Sequence, residues 1–176
     1  MFGLAQSFIA ALILSMALPN AARATMIEDC ARAVNDYAWY LDHAQPDLAK
    51  SASKFAKLFT GDGALTVHDD DLNDQTHTGH KAIANYYLDN RSYTRYLHVT
   101  SNIRINPTSD TTATGTSYAS FYIHSNTGSM KDEGALTGVM EFRDEYRISE
   151  GACRFSKRRG ILRLLSIDGV IGAPVP

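Results

Sequence analysis

The chain has 176 residues, enough for one ordinary domain and too few for two comfortable ones. Hydrophobic residues make up 44% and charged residues 20%, the balance of a globular protein rather than a disordered or fibrous one. With 17 basic against 19 acidic residues the net charge is -2, and the one basic run that stands out is the short Lys157–Arg159, so nothing electrostatic favours nucleic acid as a partner.

The first 24 residues, MFGLAQSFIAALILSMALPNAARA, differ from the rest. A long apolar run is followed by Pro19 and then by the small-x-small pattern Ala22-Arg23-Ala24. This ending is that of a signal-peptidase site, although the basic n-region is missing. The competing reading is a membrane anchor, but the apolar run from Phe8 to Leu18 is short for a span. Residues 1–24 are therefore read as a signal peptide and 25–176 as the folded domain. The expected location is secreted or periplasmic, with no membrane association once the leader is removed.

After the leader, Ile27, Ala31, Val34, Ala38 and Leu41 keep helical spacing, and Asp42 follows at the edge of that stripe. Pro46 breaks the helix and Asp47 can cap a second one. That second helix carries Leu48, Ala52, Phe55, Leu58 and Phe59 on one side and takes Gly61 as its stop. A short strand at Ala64–Val67 and a polar loop, HDDDLNDQTHTGH, come next. A short helix over Gly79–Leu88 has Ile83, Tyr86 and Tyr87 as its apolar side. From Thr94 the period changes from 3.6 to 2. Strands are expected at Thr94–Ile105, Thr112–His124, Gly134–Ile148 and Ala152–Leu165.

Helices followed by long antiparallel strands form an α+β pattern. Such strands must curl to bury one face against three helices, which makes a cone with an internal cavity. The first long strand has Tyr96, His98, Thr100, Asn102 and Arg104 on one face and Leu97, Val99, Ser101, Ile103 and Ile105 on the other. A histidine in mid-strand is expected where that face is wet or lines a pocket.

Cys30 and Cys153 remain after the leader. In an oxidising compartment they can pair, or they can stay two separate buried thiols; sequence alone leaves both open. His68, Asp69, Asp70, Asp71, His77 and His80 crowd one segment, but their spacing fits neither a zinc site nor a calcium loop, so a solvated acidic loop is expected and no metal. The sequence has no P-loop, no dinucleotide glycine motif and no serine nucleophile elbow.

The stretches VNDYAWYLDHAQPDLAKSASKFAKLFTGDGAL, GHKAI, RYLHVTSNIRI and FRDEYRISEGACRFSKRRG, in that order, resemble the SnoaL-like family of the nuclear transport factor 2-like superfamily over about residues 26 to 165. The resemblance implies a cone-shaped curved antiparallel sheet with three N-terminal helices, the cystatin-like roll. It also implies a chemistry. In dehydratases and dehydrochlorinases of this group a helix-borne Asp orients a strand His, which takes a proton from carbon while water or chloride leaves. Here the Asp falls on Asp42 of YLDHAQ and the His on His98 of RYLHVTSN. An Arg of the last strand motif falls on Arg158 of FSKRRG. His124 lies one residue off the position of a second pocket histidine. One departure is Cys153, at a hairpin position that is often aromatic in the family.

Elementary chemistry supports the same set. Histidine is the natural general base near neutral pH, a carboxylate on its other nitrogen fixes the tautomer, and an arginine can stabilise a departing anion. Each residue also has a plainer reading. Asp42 can terminate a helix, His98 can be a bonded core histidine, and Arg158 can be half of a surface ion pair. Tyr37, Tyr40, Tyr118 and Asn102 are candidate hydrogen-bond donors to a substrate, against core packing or local bonding.

The sequence thus points to a cofactor-independent lyase of the dehydratase or dehydrohalogenase type, or an isomerase. The substrate would be a small hydrophobic ring. The alternative is a secreted cone that binds a small ligand or a protein and catalyses nothing. By resemblance, a homodimer or homotrimer is expected.

Overall fold

The computed structural model describes residues 4–43, 46–68, 73–89, 95–124, 135–167 and 170–171. Its elements are α1 (Leu4–Asp42), α2 (Leu48–Ala56), β1 (Phe59–His68), β2 (Asp74–Thr78), α3 (Gly79–Asp89), β3 (Arg95–Pro107), β4 (Thr112–His124), β5 (Ala135–Ser149), β6 (Ala152–Ile167) and β7 (Val170–Ile171). The sheet runs β2-β1-β6-β5-β4-β3, with β7 against β6, and it is curved and unclosed. Neighbours are antiparallel except β1 and β6, which run parallel. This is the α+β architecture expected from helices followed by long strands.

Tertiary pairing overrides local periodicity at three places. The second helix stops at Ala56, not near Gly61. Leu58 C=O accepts from Phe155 N–H at 2.9 Å, and Phe59 already pairs with Phe155, so the chain is in the sheet before the apolar helical spacing runs out. The register shifts between Phe59 and Ala64, and a Cβ at Gly63 would lie 2.9 Å from the Phe155 carbonyl, which leaves no room for a side chain there. The end of the polar loop is β2, held to β1 in part by the Thr66 and Thr76 hydroxyls at 2.8 Å. Asp47 does cap α2, accepting from Lys50 N–H at 2.9 Å.

The third place is β3. Its pairing with β4 shifts between Ser101 and Arg104, and Asn102 sits at φ 52. This bulge changes which side chains face inward. His98 and Thr100 are half-buried before it and Ile103 and Ile105 after it, while Asn102 and Arg104 are exposed.

The buried stripe of α1 is Met26, Cys30, Ala33, Val34, Tyr37, Ala38 and Leu41, so the expected stripe is rotated at its start and Ile27 is 40% exposed. The stripe packs on an aromatic core of Phe55, Phe59, Tyr87, Phe142, Tyr146 and Phe155. α1 is one helix from Leu4, so the leader-like segment and the first core helix are continuous. Among the described residues no helix is long and apolar enough to cross a membrane.

Cys30 and Cys153 form a disulfide with Cα atoms 5.1 Å apart, joining α1 to β6 across 123 residues. Cross-linking so long a loop restricts the unfolded chain. Reduction, or Cys30→Ser with Cys153→Ser, is expected to lower stability by about 2–4 kcal/mol. Urea unfolding with and without reductant checks this, and coincident curves would show the bond to contribute nothing.

Candidate active site

Asp42 is the last residue of α1 and His98 is an inward position of β3. A carboxylate at a helix C-terminus faces the negative end of the helix dipole and needs donors. His98 supplies two. Its main-chain N–H donates to Asp42 Oδ2 at 2.8 Å, and its ring Nδ1 lies 2.5 Å from Asp42 Oδ1. Both side chains are nearly buried, 8% exposed for Asp42 and 13% for His98. The imidazole lies 6.5 Å from the Phe121 ring, tilted against it. An ionised Asp42 in this geometry places the histidine proton on Nδ1, so Nε2 is the basic nitrogen.

Arg158 sits deeper, fully buried. Its Nη1 donates to Asp144 Oδ2 at 3.1 Å, and the same oxygen accepts from the Tyr146 hydroxyl at 2.9 Å. The guanidinium carbon lies 3.8 Å from the Phe142 ring centre, 4.3 Å from that of Tyr37 and 4.6 Å from that of Phe155. Arg158 is therefore not the surface ion pair of the plainer reading. Tyr37 joins it to α1, and Asp42 follows Tyr37 by five residues, about 7.5 Å along the helix axis. Burial pushes the Asp144 carboxyl up to about 6, against the pull of Arg158 and of the Tyr146 hydrogen bond.

Tyr37 is buried and its hydroxyl hydrogen-bonds to Tyr86. Burial holds the Tyr37 phenol well above its ordinary value and Tyr86 up to about 12, so both are neutral donors at physiological pH. Tyr40 is half-buried, packed edge-on against Trp39, and burial raises it too.

Two expected pocket residues do not reach the interior. Asn102 is carried outward by the bulge, and Tyr118 is 36% exposed on the face of β4 opposite α1, because Ser117 and Ala119 take the buried parity. His124 ends β4 against Arg95 and Ala135, and its side chain lies outside the described residues. In the segment read as an acidic loop, residues 69–72 also lie outside them. His68 Nε2 accepts from Leu162 N–H, His80 Nε2 is 3.0 Å from Phe59 O, and His77 packs on Tyr86. Among the described residues no group of three or more His, Cys, Asp or Glu could hold a metal ion.

Sequence reasoning missed Asp144 and Tyr146. Their signal is the run Phe142-x-Asp144-x-Tyr146, which puts a charge at a buried position of a period-2 strand.

A family model for the SnoaL-like domain matches residues 22–159. The chain belongs to the SnoaL-like family. Within the nuclear transport factor 2-like superfamily, its fold is shared by solved proteins of low identity. One is a scytalone dehydratase candidate from Novosphingobium aromaticivorans, 20% identical, covering 89% of this chain and 96% of the other at a TM-score of 0.68. A type 2 hexachlorocyclohexane dehydrochlorinase is 18% identical, with coverage of 89% and 97% and a TM-score of 0.67. The type 3 dehydrochlorinase of Novosphingobium barchaimii is 15% identical, with coverage of 90% and 99% and a TM-score of 0.63. No curated protein matches this SnoaL-like chain by sequence.

Proposed function

We propose that this SnoaL-like protein is a cofactor-independent lyase or isomerase in which His98, oriented by Asp42, removes a carbon-bound proton from a small cyclic substrate. The observation that carries the reading is the double hydrogen bond from His98 to Asp42. It fixes both the ring tautomer and the backbone beneath it. Nε2 takes the proton and the C–H electron pair forms a double bond as the β-substituent leaves; a hydroxyl departs as water with the proton that the imidazolium hands on, and a halide departs as the anion while the imidazolium releases its proton to solvent. Asp42 stabilises the imidazolium that forms. In the isomerase variant the same nitrogen returns the proton to another carbon. Dehydration and dehydrochlorination, named for the structural relatives, are both eliminations of this kind, which supports the reading.

The same proposal places the protein outside the cytoplasm. The leader-like residues 1–24 support export, as does the Cys30–Cys153 bond, which suits an oxidising compartment. A homo-oligomer is supported by Leu97, Val99, Tyr118 and Tyr122, exposed together at the β3 edge of the sheet.

The test is product formation in D2O from a panel of cyclic β-hydroxy ketones and cyclic halides, for wild type and His98→Ala. Elimination or deuterium uptake is expected to fall by about 10²–10⁴-fold in the variant. Equal activity in both would remove His98 as the base. Tight binding of a ring compound without turnover in either would favour the binding-module alternative.

A further inference from the structure

Arg158 has three donor nitrogens, and its neighbours use one. Nη1 is bonded to Asp144, while Nε and Nη2 are buried without a hydrogen-bond partner. These two are not a random pair. On a planar guanidinium the Nε–H and one Nη2–H point the same way along one side edge. Two parallel donors match the two oxygens of a carboxylate. A halide ion or a single carbonyl oxygen cannot take both in line. The rings of Phe142, Tyr37 and Phe155 lie against the guanidinium carbon, and no acceptor among the described residues, the Tyr37 hydroxyl included, is within hydrogen-bond reach of the two edge donors. Leaving charged donors buried without acceptors is costly, and a bound carboxylate removes that cost. Asp144 Oδ1 is also buried without a partner, as is Ser117 Oγ on β4, in register with Phe142.

We propose that the side edge of Arg158 is the docking point for a carboxylate group, so that the ligand of the proposed active site is a small cyclic carboxylic acid. This deepens the proposed function and rests on it only for where the reacting carbon goes. The acid group is held at the depth of Tyr37, and the ring extends along α1 toward His98. Neither donor reaches solvent in this structure, so the acid enters by displacing an apolar neighbour. Arg158 is then a binding residue with an orienting role, and the oxygens it holds are present before any proton moves.

Asp144 is the obvious objection, since it already offers a carboxylate to Arg158. Its burial answers this. The groups that face it are Arg158 from β6, Tyr146 on its own strand, and Tyr37 from α1 with Tyr86 of α3 behind it. None is a second cation. A second anion beside Asp144 therefore raises its proton affinity further, and acid binding draws a proton onto Asp144.

The experiment titrates wild type with benzoate and cyclohexanecarboxylate, and with benzamide and cyclohexanecarboxamide as uncharged isosteres. It follows the 15Nε resonance of Arg158 by NMR and affinity by calorimetry. The acids are expected to shift the Arg158 signal and to bind about tenfold or more tightly than the amides, with affinity falling as pH rises through Asp144's titration. Arg158→Lys keeps the charge and loses the planar edge, and it is expected to abolish the preference for acids. Because that variant can also lose its fold, the wild-type resonance is the deciding readout. An unmoved Nε signal, or equal affinity for acids and amides, would overturn the proposal. Acid binding that persists in His98→Ala supports the docking point even where the turnover test fails. Turnover confined to neutral substrates would overturn the acid reading and leave the His98 reading standing.

Discussion

Asp42→Asn is expected to lower turnover by about 10³–10⁴-fold while the fold stays in place. The substitution is nearly isosteric, so the effect comes from which atoms donate. An asparagine oxygen can still accept from the His98 main-chain N–H. Its amide NH2 then faces Nδ1 as a donor, where the carboxylate oxygen had been an acceptor. The imidazole responds by moving its proton to Nε2, and the nitrogen that should take the substrate proton already carries one. The imidazolium also loses its counter-charge. Losing a hydrogen bond to a charged group costs the fold only about 1.5–3 kcal/mol. Steady-state kinetics read the first effect, and the 15N chemical shifts of His98 read the tautomer. A loss of turnover below about tenfold would take Asp42 out of the mechanism.

Removal of Asp144 by Asp144→Leu is expected to cost about 3–5 kcal/mol of stability, because Arg158 is left as an uncompensated cation among three aromatic rings. Replacing both charges, as in Asp144→Leu with Arg158→Met, is expected to recover most of that loss, since both desolvation penalties vanish together. The Asp144 carboxyl is raised in the fold to about 6 from an ordinary 3.8, with burial the largest cause. A raised acid binds its proton more tightly when folded. Its contribution to stability is full below the unfolded value and fades as pH rises through about 6. Wild type is therefore expected to lose on the order of 2 kcal/mol relative to the double variant between about pH 4 and pH 7. Chemical unfolding across that range checks both the size and the sign. A wild-type curve parallel to the double variant would remove Asp144 as the titrating group.

The parts of the fold legible in the sequence are those whose pattern is set by burial on one face. The β4 strand matches its expected bounds, β5 and β6 match within two residues, and α3 buries Ile83 and Tyr87 as its spacing implies. Asp42 and His98 were legible as a pair through their order in family-like motifs, and the structure brings them into contact. What was not legible depends on partners distant in sequence. Phe59 reads as helix until Phe155 arrives to pair with it. Asn102 reads as an inward residue because alternation assumes an unbroken strand, and only the bulge against β4 reverses it. Tyr118 is apolar enough to suggest the core, yet its neighbours Ser117 and Ala119 are the buried ones, and their small size gives no sign of it in the sequence. The pairing of Cys30 with Cys153 needed the approach of α1 to β6, which no local pattern encodes.

The disulfide between Cys30 and Cys153 also says which helix of the fold is fixed. α1 is fastened twice, to β6 through Cys30 and to β3 through Asp42, at points twelve residues or about 18 Å apart. A rod held at its C-terminal end and again twelve residues back can neither swing nor slide over that stretch without breaking a bond or a double hydrogen bond. α3 is held to α1 and β1 without a covalent link, by core packing of Ile83 and Tyr87 and by hydrogen bonds that include the Tyr87 hydroxyl on the Tyr40 carbonyl and the His80 ring against the Phe59 carbonyl. Over Cys30–Asp42 the helix and the two strands it is fastened to therefore move as one piece, which keeps Asp42 in place beside His98.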